Sequence, residues 1–167
     1  LQYKGIVVPA LLDRLKEKKQ QVLEALRAAL DSFFIYCKLS FSDAMHFASE
    51  FGMNHKNPLL KSESFAWIKR CLQYLKTLEQ SPSKGEFNSL AESCIKNFEE
   101  SAPEVRDSCY ECIATLIDLV GEKPLLSFLD KLDKIKKAKI NEFIAKLHPQ
   151  SSTQTNSIKT GPSEQIS

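Results

Sequence analysis

The side chains able to do covalent or metal chemistry are few: five cysteines (Cys37, Cys71, Cys94, Cys109, Cys112) and three histidines (His46, His55, His148). Cys109 and Cys112 stand in the C-x-x-C spacing of half a zinc site or of a redox dithiol. Either chemistry needs a second ligand pair or a strand leading into a helix, and neither is apparent. All but Cys37 fall at helical spacing among apolar residues, as expected of small buried side chains in a reducing compartment. No histidine stands in an H-E-x-x-H arrangement or beside a nucleophile motif, and no glycine-rich phosphate loop is present. Acidic residues lie mostly near lysines, the pattern of a solvated, salt-bridged helix surface. The reading is therefore a protein without catalysis, metal, cofactor or small-molecule substrate.

What remains is charge placed at interruptions of helical pattern. Lys16, Lys18 and Lys19 mark a first break, Lys56 with Asn57-Pro58 a second, and Arg106 follows Pro103 at a third. If these breaks share one edge of the molecule, the side chains form a basic ridge complementary to an acidic protein surface, which speeds encounter and sets register. The alternative is that lysine and arginine are common in any exposed turn. His55 beside Lys56 reads as solvated or as a polar contact. A further basic run, Lys134, Lys136, Lys137 and Lys139, reads as a solvated face or a lateral contact with an acidic tail. Trp67, the single tryptophan, precedes Ile68 in an apolar stripe and reads as core rather than as a binding anchor.

The elements that must position these residues are helices. Of the 167 residues, 43% are hydrophobic and 26% charged, glycine is scarce, and no stretch sustains strand alternation. A formal charge of +2 argues for neither nucleic acid nor membrane, and no run of about 18 apolar residues offers a membrane span. Buried stripes recur at Val22, Leu23, Leu26, Leu30 and Phe33; at Phe65, Ile68, Leu72 and Leu75; and at Val105, Cys109, Cys112, Ile113, Leu116 and Val120. Each such helix is preceded by another: Ile6 to Leu15, about Ser42 to Phe51, and about Glu86 to Phe98. A shorter pair follows Gly121, over Pro124 to Leu132 and Lys136 to Leu147. The breaks recur about 38 and then 45 residues apart, the period of helical-hairpin repeats that bury their stripes by stacking. The expected fold is an all-α solenoid of about four antiparallel hairpins over residues 1–147, with a disordered tail over 148–167 rich in Ser, Thr, Gln, Gly and Pro. A start at Leu1 without methionine or signal-peptide pattern reads as a fragment.

At the breaks the sequence resembles a known family. Val8-Pro9-Ala10-Leu11-Leu12-Asp13-Arg14-Leu15-Lys16-Glu17-Lys18-Lys19 is similar to the third HEAT repeat of TOG domains of the Dis/TOG microtubule polymerase family. His55-Lys56-Asn57-Pro58 resembles the fourth repeat, and Ser101-Ala102-Pro103-Glu104-Val105-Arg106-Asp107 the fifth. Val120-Gly121-Glu122-Lys123, Phe128-Leu129 and Leu132 to Lys136 resemble the sixth. The resemblance runs from Leu1 to about Phe143, in the family's order. It implies binding of soluble αβ-tubulin, mainly on the α-tubulin side, through Lys18, Lys19, Lys56, Asn57, Lys61 and Arg106. It also implies a place at microtubule plus ends, spindle, kinetochore and spindle pole or centrosome, in the cytoplasm. The family's first two repeats, with the turn tryptophan that faces β-tubulin, have no counterpart here, and Gln20 stands where the family usually has proline. That gap predicts an uncovered apolar flank and weak binding by this piece alone. The competing class is a generic HEAT-repeat scaffold, which would use a helix face and tolerate loss of the turn charges.

Overall fold

The computed structural model describes residues 3–149, and these form four stacked helical hairpins without a strand. The first hairpin is α1 (Lys4–Asp13), a single 3-10 turn (Arg14–Lys16) and α2 (Gln20–Tyr36). The second is α3 (Phe41–Ala48), a π turn (Ser49–Met53) and α4 (Pro58–Thr77). The third is α5 (Lys84–Lys96) and α6 (Pro103–Val120). The fourth is a 3-10 turn (Lys123–Leu125), α7 (Leu126–Leu129) and α8 (Lys134–Leu147). Pro58 and Pro103 each occupy the first helical turn, where the missing N–H costs nothing.

Helix ends depart from the expected bounds for identifiable reasons. The third hairpin opens at Lys84 because Ser83 and Glu86 form a capping box that starts the helix two residues early. The last helix opens at Lys134 because Asp133 accepts the Lys136 N–H at 2.8 Å. The segment Pro124 to Leu132 is not one helix: only Leu126–Leu129 is α-helical, after a 3-10 turn. The tail expected over 148–167 lies outside the described residues from position 150 onward. At its expected start, His148 instead pairs with Asp118 of α6 at 2.6 Å.

The second helices of the hairpins, α2, α4, α6 and α8, pack side by side as one layer, with the first helices as the other. Fully buried residues run through all of it, from Leu12, Leu15 and Leu30 to Phe65, Trp67 and Leu72, then Leu90, Ile113 and Leu116. The α4 and α6 stripes are buried as their periodicity predicts, except that Val120 is only half-buried. In α2 the stripe is narrower: Leu23, Leu30 and Phe34 are buried, while Leu26 and Phe33 are half-buried. An end helix has a neighbour on one flank only, so a smaller arc is covered. On α1, at the same end, Tyr3 and Ile6 are exposed. Trp67 is fully buried and belongs to the core, its indole N–H without a partner.

Ion pairs hold the register of the second-helix layer. Arg27 grips Glu63 through two bonds of 2.8 and 2.5 Å, and Arg70 holds Asp31 at 2.8 Å, both between α2 and α4. Lys69–Glu111 and Lys76–Asp118, each at 2.5 Å, join α4 to α6. Lys139–Asp107 at 3.3 Å joins α8 to α6. The exposed pairs contribute about 1 kcal/mol or less apiece, so their effect is on alignment more than on stability; Glu63 is buried, and there Arg27 compensates a charge taken out of water.

Candidate protein-binding edge

The first turn is built around Glu17. Lys19, at the capping position of α2, supplies no side-chain cap. Instead the Glu17 carboxylate accepts the backbone N–H groups of Lys18 and Lys19 at 2.9 and 3.2 Å. The Lys19 and then the Lys18 N–H hold the Glu17 carboxyl below its usual range. With both amides turned inward to that carboxylate, the Lys18 and Lys19 side chains stand in solvent. Among the described residues neither makes an ion pair. Asp13, at the foot of the same turn, is lowered mainly by its bond to Lys16.

The second turn is capped twice. Asn57 accepts the Leu60 N–H at 3.0 Å and starts α4. His55 Nδ1 accepts the Asn57 N–H at 3.0 Å, which requires that nitrogen to carry a lone pair. Between them Lys56 is exposed and, among the described residues, unpaired. The turn is pulled onto α4 at Gly52, where a Cβ would lie 1.8 Å from Ser64 Oγ and 2.6 Å from Ser64 Cβ. Only glycine facing a small residue permits this approach.

The third turn is fastened from both sides. Arg106 Nη1 donates to the Glu100 and Ser101 carbonyls at 2.6 and 2.9 Å. These carbonyls belong to the linker between α5 and α6, outside either helix, so Arg106 ties the linker to the start of α6. Lys61, its side chain only 14% exposed, pairs with the Glu100 carboxylate across the gap between the second and third hairpins. Glu99 reaches the other way, to Lys136 of the fourth hairpin, at 2.6 Å. Beneath this lies an aromatic stack, Phe98 on Tyr110 at 4.0 Å and Tyr110 on Phe143 at 5.8 Å, with Lys139 Nζ 4.7 Å over the Tyr110 ring.

The turns thus share one edge, and the six residues singled out by sequence divide into two groups on it. Lys18, Lys19 and Lys56 present unpaired cations to solvent. Asn57, Lys61 and Arg106 hold the turns in place, although no bond engages Arg106 Nε or Nη2 among the described residues. Sequence reading missed Glu17, Gly52, Glu100 and the Tyr110 stack. Glu17 follows Lys16 within a charge run that masks its capping role, and a pairing between Lys61 and Glu100, 39 residues apart, has no local signal.

Among the described residues no group of three or more His, Cys, Asp or Glu side chains could hold a metal ion. Burial drives the Cys71, Cys94 and Cys109 thiols well above their usual range, so they carry no reactive thiolate. Among the described residues no helix is long and apolar enough to cross a membrane.

A stack of helical hairpins with its inter-helix turns aligned along one edge defines a HEAT-type repeat protein. Comparison with known proteins narrows this. No protein-family model matches the chain. The chain is 32% identical over 98% of its length to the spindle pole body component alp14 of Schizosaccharomyces pombe. It is 38% identical over 84% of its length to the protein mini spindles of Drosophila melanogaster. It spans 19% of the first and 7% of the second. A solved structure from work on microtubule plus-end tracking by XMAP215, CLIP-170 and EB1 superposes with a TM-score of 0.75 at 36% identity, covering 87% of this chain and 58% of that one. Another, from work on tubulin recruitment by microtubule polymerases with TOG domain arrays, matches with the same TM-score and identity over 30% of its length. In sequence and in fold, the chain belongs to the TOG-domain family.

Proposed function

We propose that residues 1–147 are a part of a TOG domain that binds αβ-tubulin through the row of turns, mainly on the α-tubulin side. The observation that carries this reading is that Lys18, Lys19 and Lys56 stand exposed and unpaired on one edge, in turns that Glu17, Asn57 and the Lys61–Glu100 pair hold rigid. A preorganised cationic edge loses little entropy on meeting an acidic surface. Lys18, Lys19 and Lys56 are the direct contacts. Asn57 and Lys61 position the turns, and Arg106 does both, holding two carbonyls with Nη1 while Nε and Nη2 make no bond among the described residues. The order of the four motif resemblances along the sequence supports the third to sixth repeats as its place in the domain, with residues 148–167 as a linker.

The chain acts by binding and not by catalysis, in a microtubule-associated protein that promotes plus-end growth and serves the spindle and kinetochore. Its place is the cytoplasmic cytoskeleton: plus ends, spindle, and spindle pole or centrosome. The kinship with alp14 and mini spindles supports this setting. Size-exclusion co-elution of the chain with soluble αβ-tubulin at low salt is the test. Co-elution abolished by the Lys56→Ala, Arg106→Ala double variant is expected. Co-elution that ignores both substitutions would sink the turn-edge mechanism and favour a scaffold that binds through a helix face.

A further inference from the structure

The opposite edge, where the C-terminal ends of α2 and α4 meet the linkers to α3 and α5, carries a groove of about 570 Å³. Phe34, Leu39, Tyr74 and Leu78 give it apolar walls, and Lys38 and Ser81 lie on its rim. Of the chain's seven prolines only Pro82 follows a hydroxyl residue, and the segment reads Ser81-Pro82-Ser83-Lys84. A proline immediately after the acceptor is what a protein kinase reads when its pocket offers no acceptor for the next N–H; any other residue would leave that group unpaired there. A cation three places beyond the acceptor supplies a second handle. Ser81 is exposed and outside any helix. Lys38, exposed at φ 50°, makes no ion pair among the described residues.

From the motif, the exposure of Ser81 and the unpaired cation across the groove, we infer that Ser81 is a phosphoacceptor for a proline-directed, base-reading protein kinase, and that Lys38 receives the phosphate. In the transfer, the bond between the γ-phosphorus of ATP and its bridging oxygen breaks and ADP leaves. The Ser81 Oγ–P bond forms, and the hydroxyl proton passes to the kinase's base. The product carries about −1.5 to −2 charge and three strong acceptor oxygens. These clip the α4–α5 linker to the α2–α3 linker, on the edge away from the turn lysines. Pro82 is buried in the groove, so the kinase reads the segment when the linker lifts. Lifting requires opening the Ser83–Glu86 capping box, in a first turn where Ser83, Lys84 and Gly85 are exposed and a Cβ at Gly85 would touch nothing. A glycine there weakens the turn without serving the packing.

The test is incubation of the folded chain with ATP and a cyclin-dependent kinase, followed by intact and peptide mass spectrometry and thermal melting. One phosphoryl group on Ser81 is expected, with none on Ser81→Ala and at least tenfold slower incorporation into Pro82→Ala. The phosphorylated chain should melt about 2 °C higher than the unmodified one, a gain that Lys38→Ala removes. Incorporation unchanged in Ser81→Ala, or none into the folded chain while a peptide spanning residues 76–90 is modified, overturns the acceptor assignment. A melting gain that survives Lys38→Ala overturns the role of Lys38.

Discussion

A methyl group at position 52 would have to occupy the space of the Ser64 hydroxyl, and the turn carrying Lys56 would have to move to make room. Gly52→Ala is therefore expected to destabilise the chain by about 1–3 kcal/mol, read as a lower urea midpoint at unchanged slope. A second substitution, Ser64→Gly, should restore part of the loss by vacating the contact, which a generic helix-propensity effect would not allow. Asn57→Ala removes the α4 cap at a cost of about 1 kcal/mol by the same measurement. Neither effect depends on a partner, so both separate the building of the turn from its use. Of these devices the sequence marked only the break at Asn57-Pro58, because that signal is local; the capping role of Asn57 came from the structure. The Gly52–Ser64 contact was not legible, since a glycine in a helical pattern does not reveal what approaches it.

Helices and their periodic stripes were legible wherever an element has neighbours on both flanks, as α4 and α6 do. The reading failed where length is short or the neighbour is missing: α7 is one turn long, and α2 buries a narrower arc than its apolar residues suggest. The last hairpin depends on the Tyr110 stack. Phe143→Ala should cost about 3 kcal/mol and raise amide exchange in α8 and in the third turn while leaving α2 unchanged. The Asp118 node gives the layer a pH dependence. Burial pushes that carboxyl up, but Lys76 and His148 together outweigh it and hold it below its usual value. A depressed folded value means that the unfolded chain binds the proton more readily. The contribution is thus present above about pH 4 and is lost as pH falls through the folded value. Asp118→Asn should lower the urea midpoint at pH 6 and flatten its fall between pH 6 and pH 3.

Among the described residues, cations without an ion pair lie on both edges of the molecule, Lys38 opposite the turns included. Most cations of the second-helix layer are spent on neighbouring carboxylates, whereas Lys18, Lys19 and Lys56 are left unpaired on one edge. A net charge of +2 conceals this, and only the recurrence of breaks in the sequence pointed to it. Because screening acts on exposed charges, binding through the edge should weaken steadily between low and physiological salt. The most direct measurement is the affinity of the chain for soluble αβ-tubulin at low salt in three forms: wild type, a Lys18→Glu, Lys19→Glu, Lys56→Glu variant, and a Lys38→Glu, Lys84→Glu variant reversed on the opposite edge. The account predicts a loss of at least tenfold in the first variant and a change of less than twofold in the second. Equal losses in both, or a larger loss in the second, would contradict a binding edge made by the turns.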